Sequence, residues 1–225
     1  MRNPTSDTLL AEAAQFALLR RLAPSLRHRL IGGLHPISLL AELAARRLAS
    51  EPPDLVSARD SIARIQTQGR LATATSVATL AWITDEESPA VSLKEGIGES
   101  VALLRTDSEM RGTELSSRIG DFDVTVSRRA LRTVFTALLV FAVDAVPRPA
   151  RIELHASKED GGSGGGGAVR VETVSSQEGG SPAFAGDARP LTWEDVEVLA
   201  RLEGVEVHAT TAPPALHCRF RPYSA

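Results

Sequence analysis

Residues 131–147 read LRTVFTALLVFAVDAVP. After Arg132 the run carries no charge until Asp144, and Pro147 cannot continue a helix. With Arg128 upstream, this predicts a strongly apolar helix over 128–145, one that has to be buried. The next stretches, 151–156 (RIELHA) and 168–174, alternate apolar and polar residues as strands do. GGSGGGG at 161–167 joins them. No phosphate-loop lysine follows those glycines, so they read as a flexible hairpin connection.

Outward from this centre the pattern stays mixed α/β. Residues 93–108 predict a helix, 114–119 a strand and 122–126 a second strand. Residues 175–190 read as irregular loop. Thr192 is placed to cap a helix over 193–202, and 205–210 with 216–221 predict a closing hairpin. Upstream, the polar stretch 84–89 (TDEESP) reads as a linker. Before it the period changes to that of paired helices. Residues 8–22 predict a helix interrupted near Pro24, with Ser25 as N-cap of a longer run to about Ser50. There Leu30, Leu34, Ile37, Ala41, Ala44 and Leu48 form an a/d seam. Pro52 and Pro53 punctuate, and Asp54 caps a helix over 55–83 with a weaker seam, Leu55, Ala58, Ile62, Ile65, Gly69, Ala72 and Ser76. One hairpin with so narrow an apolar stripe cannot bury it alone, and pairing two hairpins into a four-helix dimer is the economical solution.

Composition narrows the function classes. Hydrophobic residues make up 43% of the 225, too many for a disordered chain. Aromatics are only 4%, so Leu, Val, Ile and Ala must fill the core. A formal charge of −3 argues against a general nucleic-acid binder. The single Cys218 rules out an internal disulfide framework and a cysteine-based zinc site. No run of about 18 uncharged apolar residues offers a membrane span. Residues 1–19, with Asp7 and Glu12, lack a signal-peptide layout, and the expected location is cytoplasmic.

With these elements in order, the chain from about residue 25 onward resembles the catalytic half of bacterial sensor histidine kinases. His28-Arg29-Leu30-Ile31-Gly32-Gly33-Leu34 is similar to the family's H box, His-Asp/Glu-Leu-x-Asn-Pro-Leu, in the spacing of His28, Leu30, Leu34 and Ile37. Residues 131–147 resemble its N-box helix, typically L-R-Q-V-L-x-N-L-L-x-N-A-x-D-A-x-P. Val91–Leu115 is similar to the lead-in to the ATP-binding domain, and Leu199–Pro222 to the last helix and closing hairpin. The resemblance implies an α+β chain. Its parts are an N-terminal helical hairpin forming a dimeric four-helix bundle (1–88, with an N-terminal helical extension) and an α/β two-layer sandwich of degenerate histidine-kinase ATPase type (89–225).

The departures decide what activity the resemblance implies. The two N-box asparagines, one a magnesium ligand, are Ala137 and Phe141 here, and neither can coordinate a hard cation. No Asp-x-Gly-x-Gly follows Val174, where the chain reads SSQEGG, and 188–193 (ARPLTW) hold no Gly-x-Gly-x-Gly. No ATP binding and no cofactor are therefore expected. The acidic residue after the histidine, the family's general base, is Arg29, which stays protonated. The water-orienting residue four positions on is Gly32. Transfer from a response-regulator receiver domain asks for less, since the regulator brings its own Asp, Mg²⁺ and Lys.

His28 lies off the packed stripe and should face solvent. The expectation is a stand-alone histidine phosphotransferase, relaying phosphate between receiver domains through His28 with Arg29 as a phosphate-stabilising neighbour. The alternative is a non-enzymatic pseudokinase dimer that binds and modulates a two-component kinase or regulator. Expected partners are receiver domains and a second copy, with no nucleic acid and no membrane. His35 reads as a surface residue, and His155, His208 and His217 as strand residues without metal-ligand clustering; no metal is expected. Gly32 and Gly33 read as a tight helix contact or kink, or as room beside His28 for a partner's loop. Arg20, Arg21, Arg27, Arg29, Arg46 and Arg47 read as a solvated basic face that would complement an acidic regulator.

Overall fold

The computed structural model describes residues 4–84, 90–159, 166–175, 189–211 and 214–223. The chain divides into two compact units, one of Met1–Leu22 with Glu87–Ala225 and one of Ala23–Glu86. Their boundary falls inside the first helix, α1 (Pro4–Leu48). The fold class is α+β, as the sequence predicts.

The smaller unit is a helical hairpin of α1 and α2 (Leu55–Leu80). The turn is closed locally. Asp54 accepts a hydrogen bond from the Ser57 backbone as the N-cap of α2, and its own amide donates to the Arg47 carbonyl at 3.0 Å. One expectation fails. Pro24 and Pro36 both lie inside α1, so Ser25 is an interior residue and caps nothing. Proline removes one intrahelical donor and costs about 3 kcal/mol. Packing elsewhere on the helix outweighs that local cost: Ala14, Leu18 and Leu22 are buried one to three turns earlier.

The larger unit stacks helices on one face of a mixed sheet. β1 (Ala90–Ser92) leads into α3 (Leu93–Met110), which Ser92 caps by accepting from the Glu95 amide. β2 (Thr113–Ile119) follows, then β3 (Thr125–Ser127). The strand predicted over 122–126 is therefore shorter and later. β3 leaves the main sheet to pair with β1, while the Val124 carbonyl accepts from Leu93 N at 2.8 Å. α4 (Arg128–Ala130) passes through a π-helical turn (Leu131–Phe135) into α5 (Thr136–Ala145). β4 (Ala150–Lys158), β5 (Gly167–Ser175), α6 (Trp193–Glu203), β6 (Glu206–Thr211) and β7 (Pro214–Phe220) complete it. The five-stranded order is β2-β4-β5-β7-β6, with β2 and β4 parallel and the other pairs antiparallel.

The stretch 131–147 is the centre of this unit. Leu131, Val134, Phe135, Leu138 and Leu139 are fully buried, together with Ile97 of α3, Ile152 and Leu154 of β4, Val171 of β5 and Leu199 of α6. Gly96 of α3 is needed for this approach, because a β-carbon there would run into the Leu131 side chain. α6 is fixed at both ends. Thr192 and Asp195 form a reciprocal capping box, and Gly204 closes the helix at φ 65°. The sheet's other face stays open, carrying Arg118, Glu153, His155, Arg170, Glu172, His208 and His217.

Candidate functional site

His28 is exposed on α1, within the hairpin unit. Gly32 stands one helical turn along the same face, and a β-carbon there would meet nothing within 4 Å. The space beside the imidazole on that side is open. Gly33 behaves differently: its absent β-carbon would sit 3.7 Å from Ala72 Cα, so this glycine lets α1 and α2 approach. The paired glycines thus divide the two readings between them, with Gly32 leaving room and Gly33 making the close contact. Arg29 is half-buried next to His28, and His35 is exposed.

The basic face predicted along α1 breaks up. Arg47 donates to the Ser57 carbonyl and to Ser61 Oγ, both at 2.7 Å, and so ties the hairpin together. Arg46 makes a loose, exposed contact of 3.9 Å with Glu42. Arg20 lies 5.8 Å from the Phe16 ring centroid. Arg21 is the large departure. Its side chain is 3% exposed and belongs to the α/β unit. Its Nε and Nη2 donate to the two Asp144 oxygens at 2.9 and 2.8 Å, and Nη1 donates to Asp107 at 3.0 Å. Burial alone would lower the guanidinium pKa, but the two carboxylates raise it above its ordinary value. Arg27 and Arg29 remain of the set around His28, Arg27 exposed.

The positions that resemble the nucleotide-binding asparagines are filled by apolar packing. Ala137 is fully buried. Phe141 is half-buried, its ring tilted against Trp193 of α6 with centroids 5.8 Å apart, and Trp193 Nε1 donates to Glu197 at 2.8 Å. Where the resemblance would place a glycine-rich phosphate loop, Arg189 donates to both Asp195 oxygens at 2.8 Å and Thr192 caps α6. Those hydrogen bonds hold the Asp195 carboxyl below its ordinary range against the opposing effect of burial. The SSQEGG stretch after Val174 falls, beyond Ser175, outside the described residues, as does 160–165 of the glycine-rich connection.

Two constellations escape sequence reading. One is the Arg21–Asp144–Asp107 clamp. The other lies on the open sheet face, where Glu153, His155 and Glu172 bring donor atoms within 4.8 Å of one another. This corrects the expectation that His155 lies outside any metal-ligand cluster: the grouping depends on the β4–β5 register, which sets Glu153 opposite Glu172. His208 and His217 stack nearby, centroids 4.5 Å apart. His217 is held below its ordinary pKa by burial and by the neighbouring His208 and Arg170. Cys218 is buried, its thiol pushed far up by desolvation, so it offers no nucleophile. Among the described residues no helix is long and apolar enough to cross a membrane.

No protein-family model matches the chain, and no curated protein matches it. Among solved structures it is similar to a histidine kinase from Burkholderia phymatum STM815, at 14% identity and TM-score 0.45, over 91% of this chain and 96% of that one. It is also similar to the Acinetobacter baumannii histidine kinase AdeS, at 10% identity and TM-score 0.43, over 88% and 98%. A structure described as a bacterial phosphotransferase is similar at 15% identity and TM-score 0.38, over 90% and 95%.

Proposed function

We propose that this chain is a histidine phosphotransferase in which His28 carries a phosphoryl group between receiver domains, without ATP. The observation that carries the reading is the surface around His28: an exposed imidazole on a helix, with open space over Gly32 one turn away. In the transfer, a lone pair of the neutral imidazole attacks the phosphorus of a receiver's aspartyl phosphate. The P–O bond to the carboxylate breaks and a P–N bond forms at Nε2 or Nδ1, and the reverse step delivers the group to a second receiver. The receiver supplies Mg²⁺ and its own lysine for charge stabilisation. Arg29, always protonated, is suited to hold phosphoryl oxygens and unsuited to act as a base.

Two further observations support the reading. Ala137 and Phe141 offer no oxygen ligand to a nucleotide-bound cation, and Phe141 packs against Trp193. The hairpin leaves seam residues uncovered, Leu34 at 54% and Ile62 at 47% exposure, as a chain does whose second copy completes a four-helix bundle. Receiver domains and a second copy are the proposed partners, and the cytoplasm the proposed location.

The test is transfer from a phosphorylated receiver to the purified full chain with no nucleotide present. Acid-labile phosphate should appear on the wild type and not on His28→Ala. The second reading, a pseudokinase dimer that binds and modulates a kinase or regulator, is favoured by Arg29 in the base position and Gly33 in the proline position. It predicts receiver or kinase binding that His28→Ala leaves intact, with no phosphate on the chain.

A further inference from the structure

We propose that the open face of the sheet holds a divalent transition-metal ion, bound by Glu153, His155 and Glu172. Glu153 of β4 and Glu172 of β5 are directly opposed in the ladder, and His155 follows two residues on, on the same face. One oxygen of each carboxylate stands 3.8 Å from His155 Nε2, too far for a hydrogen bond. That nitrogen is closed to solvent and has no hydrogen-bond partner, although the ring as a whole is partly exposed. Donors at this spacing suit a shared ion. Two metal–ligand bonds of about 2.1 Å meeting near the tetrahedral angle put their donors roughly 3.4 Å apart, a small inward shift from the 3.8 Å that separates His155 Nε2 from each carboxylate oxygen.

The remaining carboxylate oxygens face arginines. Arg170 Nη2 lies 2.6 Å from the other Glu172 oxygen, and Arg118 Nη2 lies 3.8 Å from the other Glu153 oxygen. The Arg170 contact orients the Glu172 carboxylate, as an outer-shell partner does, whereas the Arg118 contact is longer than a hydrogen bond. The charge of the two arginines offsets that of the glutamates and works against any cation. Binding therefore has to come from the three-donor chelate itself. One imidazole and two carboxylates suit zinc or manganese(II), not thiophilic ions, and three protein ligands leave a coordination position for water.

Titration of the full chain with ZnCl₂, followed by calorimetry, is the direct test, with the rise in thermal midpoint as a second readout. One ion per chain is expected. His155→Ala and the near-isosteric Glu172→Gln should each weaken it by more than the ~10- to 100-fold that loss of an outer-shell partner costs. His217→Ala and His28→Ala should leave it unchanged. The proposal is overturned by an absence of saturable binding, by binding that survives both ligand variants, or by binding that disappears with His217→Ala instead. Circular dichroism of each variant separates a lost site from a lost fold, and Glu172→Gln decides if His155→Ala does not fold.

Discussion

The α/β unit and the hairpin solve the burial problem in opposite ways. In the α/β unit Leu138, Leu139, Ile152, Leu154 and Leu199 are all inaccessible to solvent, and a buried arginine ties the first helix to Asp107 and Asp144. In the hairpin, apart from Leu26, the buried positions are small, Ala44, Ala58, Ser61, Ala72 and Thr79 among them, whereas Leu34, Leu55, Ile62 and Val77 stay exposed. One unit buries its large apolar side chains within its own chain; the other presents an exposed apolar stripe, which the proposed second copy would cover. The proposed active residue stands on the hairpin. In the α/β unit the two positions that resemble the nucleotide-binding asparagines are apolar, Ala137 buried and Phe141 packed against Trp193.

Putting charge into the stripe should break the contrast most severely. Leu34→Glu combined with Ile62→Glu is expected to convert a dimer into a monomer in light scattering, while the far-ultraviolet signal of the α/β unit persists. A wild-type monomer at the same concentration would contradict the bundle. Next in size is the clamp. Arg21→Ala leaves the Asp144 carboxylate buried and short of its cation, and should cost about 3–5 kcal/mol in chemical denaturation. A loss below 1 kcal/mol would show that water reaches Asp144. Ala137→Asn reintroduces the amide of the N-box pattern into a fully buried site. It should destabilise by about 1–3 kcal/mol for want of partners and should not create ATP affinity, read by fluorescent-nucleotide titration.

The smallest effect is a pH dependence of the open sheet face. The folded-state pKa of His217 lies below its unfolded value, with His208, Arg170 and Glu172 as its charged or titratable neighbours. The unfolded chain therefore takes up this proton first. Stability is unaffected by His217 above about pH 6.5, falls as pH drops through that unfolded value, and levels off below the folded pKa. His217→Gln should lose less stability than wild type between pH 7.5 and 5.5. An identical loss in both would place the effect on other groups.

What the sequence disclosed was local or periodic. Thr192 before an apolar-periodic run predicts α6 because a capping box needs only neighbours, and the structure forms it. Residues 131–147 announce a buried helix through an uncharged run that no surface helix could carry. The clamp was illegible because its partners lie 123 and 86 residues from Arg21, so on α1 that arginine looked like one more basic residue. The Glu153–Glu172 pairing needs the exact strand register, which alternation alone does not fix. At Pro24 a sound local rule lost to packing on the same helix. Around His28 the spacing was readable, but that Gly32 leaves open space and Gly33 touches Ala72 required the helix pair.

Site-resolved transfer asks whether His28 carries the phosphoryl group. A radiolabelled, phosphorylated receiver is incubated with wild type, His28→Gln and His35→Gln chains without nucleotide, and the label on each is followed over time. With His28 as carrier, wild type and His35→Gln are labelled equally, His28→Gln is not labelled, and the label passes to a second receiver. Labelling that persists on His28→Gln, or no labelling of the wild type by any receiver from the same cell, would contradict it.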